Sequence, residues 1–348
     1  MPKKIKGRGA GENPANRFEK IDFIPSDEEF ENPDRPKTFF YKDKTKKIIT
    51  FNNSPDIPFE ASINPYRGCE HGCIYCYARP NHEYLGLSAG LDFETKIFVK
   101  QSAPILLRKE LSSKKWIPKP IAISGVTDCY QPAEKHFQIT RDCLKVLAEF
   151  RNPVGIVTKN YLITRDIDIL KQLSEFKGVH VAISITTLDS QLAGKMEPRA
   201  SQPLLRLKTI EKLSENKIPV MVLIAPVIPG LTDHEIPKII EQSVNAGASG
   251  AGYVMLRLPY GVKDLFSDWF DNHYPDRKNK VLHRIESVRE GKLNSPEFFN
   301  RMKGEGIFAE QVKKMFEVGC RKAGISGNHF NFDCSKFRKP IENQMEMF

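Results

Sequence analysis

The chain has 348 residues, with 53 Lys and Arg against 43 Asp and Glu and a formal net charge of +10. This length and the uneven spread of its seven cysteines exclude a small disulfide-stabilised secreted domain, and no apolar run reaches the roughly 18 residues that a membrane helix requires. The modest basic excess favours a polyanionic partner such as nucleic acid.

The first 60 residues have no clear hydrophobic periodicity. Residues 1–20 are basic and rich in Gly, Asn and Pro, which predicts a flexible tail. The cations Lys3, Lys4, Lys6 and Arg8 precede no apolar run, so we expect no signal peptide and a cytoplasmic location. Residues 21–60 contain acidic and proline-interrupted runs, and we expect an irregular lead-in packed against the main domain.

From residue 61 to residue 260, short apolar runs alternate with amphipathic helical patterns, which indicates βα units around a parallel sheet. A single helix is predicted over 134–150. The pattern contains six predicted strands, which is fewer than the eight of a closed barrel. It therefore predicts an α/β fold with a partial (β/α)6 barrel of the TIM type. The predicted strands are 61–66, 121–125, 154–158, 179–186, 219–227 and 250–256.

After the last predicted strand the pattern becomes purely helical. Residues 261–335 carry amphipathic segments without intervening strands, which predicts a C-terminal helical extension positioned to cover the open side of the barrel. Residues 336–348 are assigned to a terminal tail.

Three cysteines follow the first predicted strand in a C-x3-C-x2-C spacing. Cys69, Cys73 and Cys76 lie on a short glycine-bearing loop, which can direct three thiolates toward one compact centre. Four-iron clusters normally take four cysteine ligands, so three local cysteines leave one iron open to a non-protein ligand, as catalysis requires. The alternative is a zinc knuckle with His71 or His82 as fourth ligand, but the second half of such a motif is missing.

This spacing, together with the aromatic Tyr75 before the last cysteine, resembles the radical SAM superfamily. In that superfamily three cysteines hold a [4Fe-4S] cluster and S-adenosylmethionine binds the fourth iron. The resemblance implies an enzyme that reductively cleaves S-adenosylmethionine to a 5′-deoxyadenosyl radical, with a flavodoxin- or ferredoxin-type protein as electron donor. Free thiolates at such a centre also suit a reducing compartment.

In βα barrels the functional residues follow the carboxyl ends of the strands. S-adenosylmethionine needs a cation for its carboxylate and hydroxyls or carboxylates for its amine and ribose. Residues with these chemistries occur at the predicted strand ends or in the loops that follow, namely Thr127, Asp128, Lys159, Ser184 and Arg199. On position alone, Lys159 and Arg199 suit ordinary solvated loop charges equally well.

The segments around these residues are similar to the spore photoproduct lyase branch of the superfamily over about residues 60–260. The similar segments are Thr127-Asp128, Val157-Thr-Lys159, Ile183-Ser-Ile-Thr186 and Glu197-Pro-Arg-Ala-Ser201 with Arg206. The resemblance implies that Lys159 and Ser184 contact the methionyl end of the cofactor, with Thr127 and Asp128 nearby and Arg199 as a further polar contact.

One departure from that branch concerns the hydrogen-donating cysteine of the lyase, which lies just upstream of the cofactor-binding hydroxyl. Gly125 and Val126 occupy those positions here, and Cys129 comes afterwards. Cys129 either faces the pocket or belongs to the core. The resemblance therefore does not carry over the lyase reaction.

The last five residues form a separate motif. Gln344 followed by the apolar Met347 and Phe348 resembles the pentapeptide by which bacterial DNA-repair proteins dock on the sliding clamp. The alternative is a frayed end with accidental apolar residues.

These observations predict a radical SAM enzyme with no assigned substrate, for which a nucleic-acid lesion or modified base in DNA repair is the first candidate. Radical chemistry on a peptide or small metabolite is the second. A non-catalytic metal-containing DNA-binding protein is the third, and the cofactor-type residues at the strand ends disfavour it.

Overall fold

The computed structural model describes residues 5–18, 36–325 and 331–340. Ten strands are formed: β1 Phe39–Lys42, β2 Thr50–Phe51, β3 Ala61–Ile63, β4 Tyr66–Arg67, β5 Lys96–Val99, β6 Ile121–Ile123, β7 Val154–Thr158, β8 Val179–Ser184, β9 Val220–Val227 and β10 Gly250–Met255. The main sheet has the order β10-β9-β8-β7-β6-β3-β2. Its strands are parallel except for β2, which pairs antiparallel with β3. The predicted α/β class and the six parallel strands are confirmed.

Helices connect these strands and then extend beyond them. They are α1 Leu91–Thr95, α2 Ala103–Ser112, α3 Glu134–Phe137, α4 Ile139–Phe150, α5 Ile167–Ser174, α6 Ser190–Met196, α7 Pro203–Glu215, α8 Ile236–Asn245, α9 Val262–His273, α10 Pro275–Ser287, α11 Asn300–Lys303 and α12 Gly306–Lys322. The helix predicted over 134–150 is in fact two helices. Gln138 has a φ of +53°, a left-handed conformation that ends α3 before α4 begins.

The core lies between the parallel sheet and the helices packed on it. All six residues of β8 are buried, as expected for a parallel strand covered on both faces. On the helical side, Ile236, Ile239 and Ile240 of α8 belong to the hydrophobic core cluster that also contains residues of β8. These spacings of three and four residues place one apolar stripe against the sheet.

A second, smaller sheet has the order β1-β5-β4, and no pattern in the sequence predicted it. β1 runs parallel to β5, and β4 runs antiparallel to β5. Strand β4 immediately precedes the cysteine loop, so this sheet fixes where the loop begins.

Residues 5–18 lie against the cysteine loop and helix α1, in contrast to the flexible tail expected for 1–20. The backbone N–H groups of Gly9 and Ala10 donate to the Glu94 carboxylate at 3.0 and 2.9 Å. A Cβ atom on Gly9 would lie 1.8 Å from the carbonyl oxygen of Gly72, so only glycine fits this approach. Arg17 forms an ion pair with Glu83 at 2.6 Å. Polar composition did not reveal these long-range hydrogen bonds.

The predicted C-terminal helices are confirmed as α9 to α12. Helix α12 packs on α8, where a Cβ on Gly319 would lie 2.9 Å from Ile240 Cδ1. Arg301 of α11 binds both carboxylate oxygens of Asp56, at 2.6 and 2.5 Å. Asp56 lies between β2 and β3, so this pair joins the C-terminal extension to the opposite end of the sheet from β10.

Part of the predicted terminal tail is also in contact with the core. Arg338 donates to the Glu149 carbonyl at 3.1 Å, and Lys339 donates to the Ser113 carbonyl at 2.9 Å. Several predicted features lie outside the described residues: the start of the basic tail, much of the lead-in and the clamp-type motif at 344–348. Among the helices that are described, none is long and apolar enough to cross a bilayer.

Candidate functional site

The cysteine loop is shaped by two glycines in left-handed conformations. Gly68 and Gly72 have φ angles of +79° and +67°, which place the turns of the loop where side chains other than glycine are strained. A Cβ on Gly72 would also lie 2.7 Å from a Glu94 carboxylate oxygen. Cys69 and Cys73 are buried in this loop, and Cys76 is half-buried.

The three thiols lie near one another in a desolvated environment. Burial raises the pKa of Cys69, and the neighbouring Asp128, Cys73 and Cys76 raise it further. Burial also raises the pKa of Cys73 and of Cys76. Thiolates crowded in this way need a positive centre to become favourable, and iron supplies one. The donor set therefore fits an iron–sulfur cluster.

The histidines of the zinc alternative have other partners. His82 Nε2 lies 2.9 Å from the Lys96 carbonyl, and His71 Nε2 lies 3.0 Å from the Asn160 side chain. This geometry gives the zinc knuckle no support.

A fully buried ion pair supports the loop from beneath. Arg79 donates to the carbonyls of Cys73, Ala89 and Gly90 at 3.0, 3.1 and 2.9 Å, and it pairs with Glu94. Both side chains are completely buried. Because Glu94 also accepts the N–H groups of residues 9 and 10, one network links the N-terminal segment to the cysteine loop.

Beside the cysteine loop, polar groups from β8 and β9 converge on Lys159, which follows β7. Its Nζ lies 2.8 Å from Ser184 Oγ, 3.1 Å from Thr186 Oγ1 and 2.9 Å from the Ala225 carbonyl. Burial lowers the pKa of Lys159, and the positive charge of the nearby Arg206 lowers it further, to about 7. The structure thus brings Lys159 and Ser184 together at the carboxyl ends of β7 and β8, as predicted.

Glu197 lies at the centre of this group, and sequence reasoning gave it no role. Its carboxylate accepts hydrogen bonds from the Tyr75 hydroxyl, from Thr186 at 2.8 Å and from Arg206, and lies 3.2 Å from Lys159 Nζ. Arg206, which the sequence named only as part of a similar segment, lies four residues before the buried Ile210 on the inward face of α7. A buried arginine requires a buried acid.

Asp128 contacts the backbone of Lys159 rather than its side chain. Its carboxylate accepts the Lys159 backbone N–H and the Thr158 hydroxyl, each at 2.8 Å, and lies 3.4 Å from His71 Nδ1. Burial favours a higher pKa for Asp128, but His71 and these hydrogen bonds hold it below its ordinary value. The adjacent Thr127 is buried and donates to a β4 carbonyl at 3.3 Å.

Two predicted residues are not part of the Lys159 group. Arg199 pairs with Glu70 at 2.9 Å and reaches Thr38 at 3.3 Å, so it ties the cysteine loop to the lead-in. Cys129 is fully buried in the main core cluster, and its thiol pKa is raised by burial. Its position favours the core role.

Residues 63–242 match the model of the Radical SAM superfamily, which is more than half of the 348-residue chain. The chain belongs to the radical SAM superfamily. Membership implies a [4Fe-4S] cluster and S-adenosylmethionine as the cofactors of the family.

The curated relatives of this radical SAM protein are uncharacterized proteins. One from Mycobacterium tuberculosis H37Rv is 33% identical over 226 residues, covering 64% of this chain and 66% of the relative. The chain thus spans slightly less than two thirds of that relative's length. A protein of Methanocaldococcus jannaschii is 32% identical over 194 residues, covering 56% of this chain and 70% of the relative.

Among solved structures, this radical SAM protein is similar to variants of spore photoproduct lyase. One with bound S-adenosylmethionine and a dinucleoside spore photoproduct has a TM-score of 0.60 at 14% identity, covering 90% of this chain and 88% of that chain. A second variant has a TM-score of 0.59 at 14% identity, covering 87% of this chain and 84% of that chain. At this identity the likeness establishes a shared fold.

Proposed function

We propose that this radical SAM enzyme holds a [4Fe-4S] cluster on Cys69, Cys73 and Cys76 and binds S-adenosylmethionine beside Lys159 and Ser184. The observation that carries the proposal is the convergence of polar groups from neighbouring strands on Lys159, next to the tyrosine of the cysteine loop. A buried cation ringed by hydroxyls and one carboxylate suits a zwitterionic amino-acid group.

Each residue has a distinct task in this proposal. The Lys159 ammonium donates to the methionyl carboxylate, and the Ser184 hydroxyl makes a further polar contact. Asp128 and Thr127 offer acceptors for the amine and the ribose. Tyr75 joins the cysteine loop to the strand ends. Arg199 acts indirectly, by forming an ion pair with Glu70 of that loop. When bound, the cluster supplies the electron that cleaves S-adenosylmethionine to the 5′-deoxyadenosyl radical.

For the substrate we propose a nucleic-acid lesion or modified base. The net charge of +10 favours a polyanion, and the similarly folded lyase binds a dinucleoside photoproduct. Radical chemistry on a peptide or small metabolite is the competing hypothesis. Cys129 has only a weak claim as a hydrogen donor in either reaction, because it is fully buried in the core.

The cofactor proposal is tested with anaerobically reconstituted protein, dithionite and S-adenosylmethionine. We expect iron and sulfide at four atoms each per chain and release of 5′-deoxyadenosine. Cys73→Ser should abolish both, whereas Cys334→Ser, which changes a half-buried cysteine elsewhere, should retain both. A full four-iron signal in the Cys69, Cys73 and Cys76 triple variant would refute the assignment.

The substrate is tested by incubating the enzyme with deuterium-labelled oligonucleotides, peptides or metabolites. Transfer of label into 5′-deoxyadenosine identifies the class that donates the hydrogen atom. Label from the peptide alone would refute the nucleic-acid proposal.

Two protein partners remain proposals. One is a flavodoxin- or ferredoxin-type electron donor, and the other is the DNA sliding clamp, through Gln344, Met347 and Phe348. Deleting residues 344–348 should weaken clamp binding without altering cofactor cleavage. Equal clamp binding by the truncated protein would end the second proposal.

A further inference from the structure

Arg257 lies beside the cysteine loop, at the edge of the sheet where the parallel strands end. It follows the end of β10 by two residues, and its guanidinium carbon is 5.3 Å from the centroid of the Tyr77 ring. Tyr77 comes directly after Cys76, and its hydroxyl donates to the Gly125 carbonyl at 2.6 Å. The hydroxyl is thereby fixed, while 47% of the residue stays exposed.

The charge of Arg257 is not balanced by an acid of its own. Its Nε is buried with no hydrogen-bond partner, and no acceptor in the described ranges binds its guanidinium. The carboxylate that influences it, Asp56, is already bound by Arg301 at 2.6 and 2.5 Å and by the Phe299 N–H at 3.1 Å. A partly buried guanidinium in this state is suited to an external anion.

Arg257 belongs to a row in which two arginines lie between two aromatic rings. Burial lowers the pKa of Arg257, and the positive charge of the nearby Arg301 lowers it further. On its other side the Arg301 guanidinium carbon is 4.8 Å from the Phe298 ring centroid, and Phe298 is 51% exposed. The row thus runs from Tyr77 through Arg257 and Arg301 to Phe298.

Proteins hold single-stranded nucleic acid on aromatic faces combined with cations, since bases stack on the rings and phosphates pair with the cations. We propose that the row from Tyr77 to Phe298 binds a nucleic-acid strand, with a phosphodiester on Arg257 and bases on the two rings. This inference rests on the proposed nucleic-acid substrate. It adds the surface that would carry the strand from Phe298, just before α11, to the cysteine loop.

An anion on Arg257 could instead be the carboxylate of S-adenosylmethionine, so the experiment has two arms. The first measures binding of a fluorescein-labelled single-stranded oligodeoxynucleotide to the anaerobic holoenzyme across a salt series. The second measures 5′-deoxyadenosine release with dithionite and no oligonucleotide. The variants are Arg257→Ala, Arg257→Lys and Phe298→Ala, and Arg321→Ala on exposed surface near the end of α12 is the matched control.

Arg257→Ala should weaken binding roughly tenfold and reduce the slope of log affinity against log salt by about one. Arg257→Lys should keep that slope with weaker binding, because it retains the charge without the planar fork. Phe298→Ala should weaken binding with the slope unchanged, and Arg321→Ala should match the wild type. The 5′-deoxyadenosine yield should stay at the wild-type level in all four variants.

Three outcomes overturn the proposal, and they can be distinguished. In the first outcome the wild type binds the oligonucleotide, and Arg257→Ala and Arg257→Lys bind it as tightly as the wild type does. The row is then not the binding surface, and the substrate proposal survives. If Arg257→Ala loses 5′-deoxyadenosine release, Arg257 serves the cofactor. If the wild type shows no salt-dependent binding, the nucleic-acid substrate and this surface fall together.

Discussion

The Tyr75 hydroxyl donates a hydrogen bond to the Glu197 carboxylate. Tyr75 belongs to the cysteine loop, and Glu197 follows helix α6, so this bond fixes the loop to the strand ends. Glu197 also neutralises Arg206 and lies 3.2 Å from Lys159 Nζ. One carboxylate therefore sets the position of both the tyrosine and the lysine of the proposed cofactor pocket.

Replacing Glu197 with glutamine should destabilise the fold strongly. The change removes the negative charge between two buried cations, and breaking a buried ion pair costs about 3–5 kcal/mol. Chemical denaturation monitored by circular dichroism measures the loss. Glu211→Gln, on the exposed face of α7, is the control, and equal stability of the two variants would contradict the central role of Glu197.

Replacing Glu94 with glutamine should expose the cysteine loop to air. Glu94 receives both Arg79 and the N–H groups of Gly9 and Ala10, so losing its charge loosens the N-terminal segment and the loop together. The cluster absorbance should bleach several-fold faster in air than in the wild type. Glu60→Gln, which breaks an exposed pair with Lys119, should leave the bleaching rate unchanged. Identical rates in all three proteins would show that this network does not protect the loop.

His180 should make the enzyme sensitive to acid. Burial in β8 lowers the pKa of His180 from 6.5 to about 3, so between these values the unfolded chain binds a proton that the folded chain does not. Stability therefore falls as pH decreases through this window, by roughly 1.4 kcal/mol per pH unit.

The His180→Leu variant should lose that part of the pH dependence when its urea midpoints are compared with the wild type from pH 7 to pH 4. His283→Gln changes an exposed histidine on α10 and should reproduce the wild-type curve. A parallel decline of the His180→Leu and wild-type curves would be the contrary result.

Replacing Cys129 with alanine should affect stability and leave chemistry intact. The thiol is fully buried in the main core cluster, and its removal leaves a small cavity that costs roughly 1 kcal/mol. Thermal unfolding measures that cost, while 5′-deoxyadenosine release and product formation should stay at wild-type levels. Selective loss of product, with cofactor cleavage retained, would make Cys129 the hydrogen donor after all.

The sequence predicted those parts of the site that depend on local spacing and strand ends. Cys69, Cys73 and Cys76 share one short loop, and Lys159 and Ser184 end adjacent strands, so their meeting follows from the parallel sheet. Glu197 and Arg257 were missed because their roles arise from contacts with distant segments. Arg199 was predicted as a further polar contact of the cofactor, and its pairing with Glu70 could not be inferred from spacing.

The sequence by itself determined the α/β class, the six parallel strands and the superfamily, because alternating hydrophobic periods and a compact cysteine motif are local properties. Only the tertiary structure decided that residues 5–18 pack on the cysteine loop, that Glu197 joins Tyr75 to Arg206, and that Arg257 lacks an acid of its own. These relationships join segments far apart in the chain. Their energies depend on burial and on which charges become neighbours, and no local pattern encodes either.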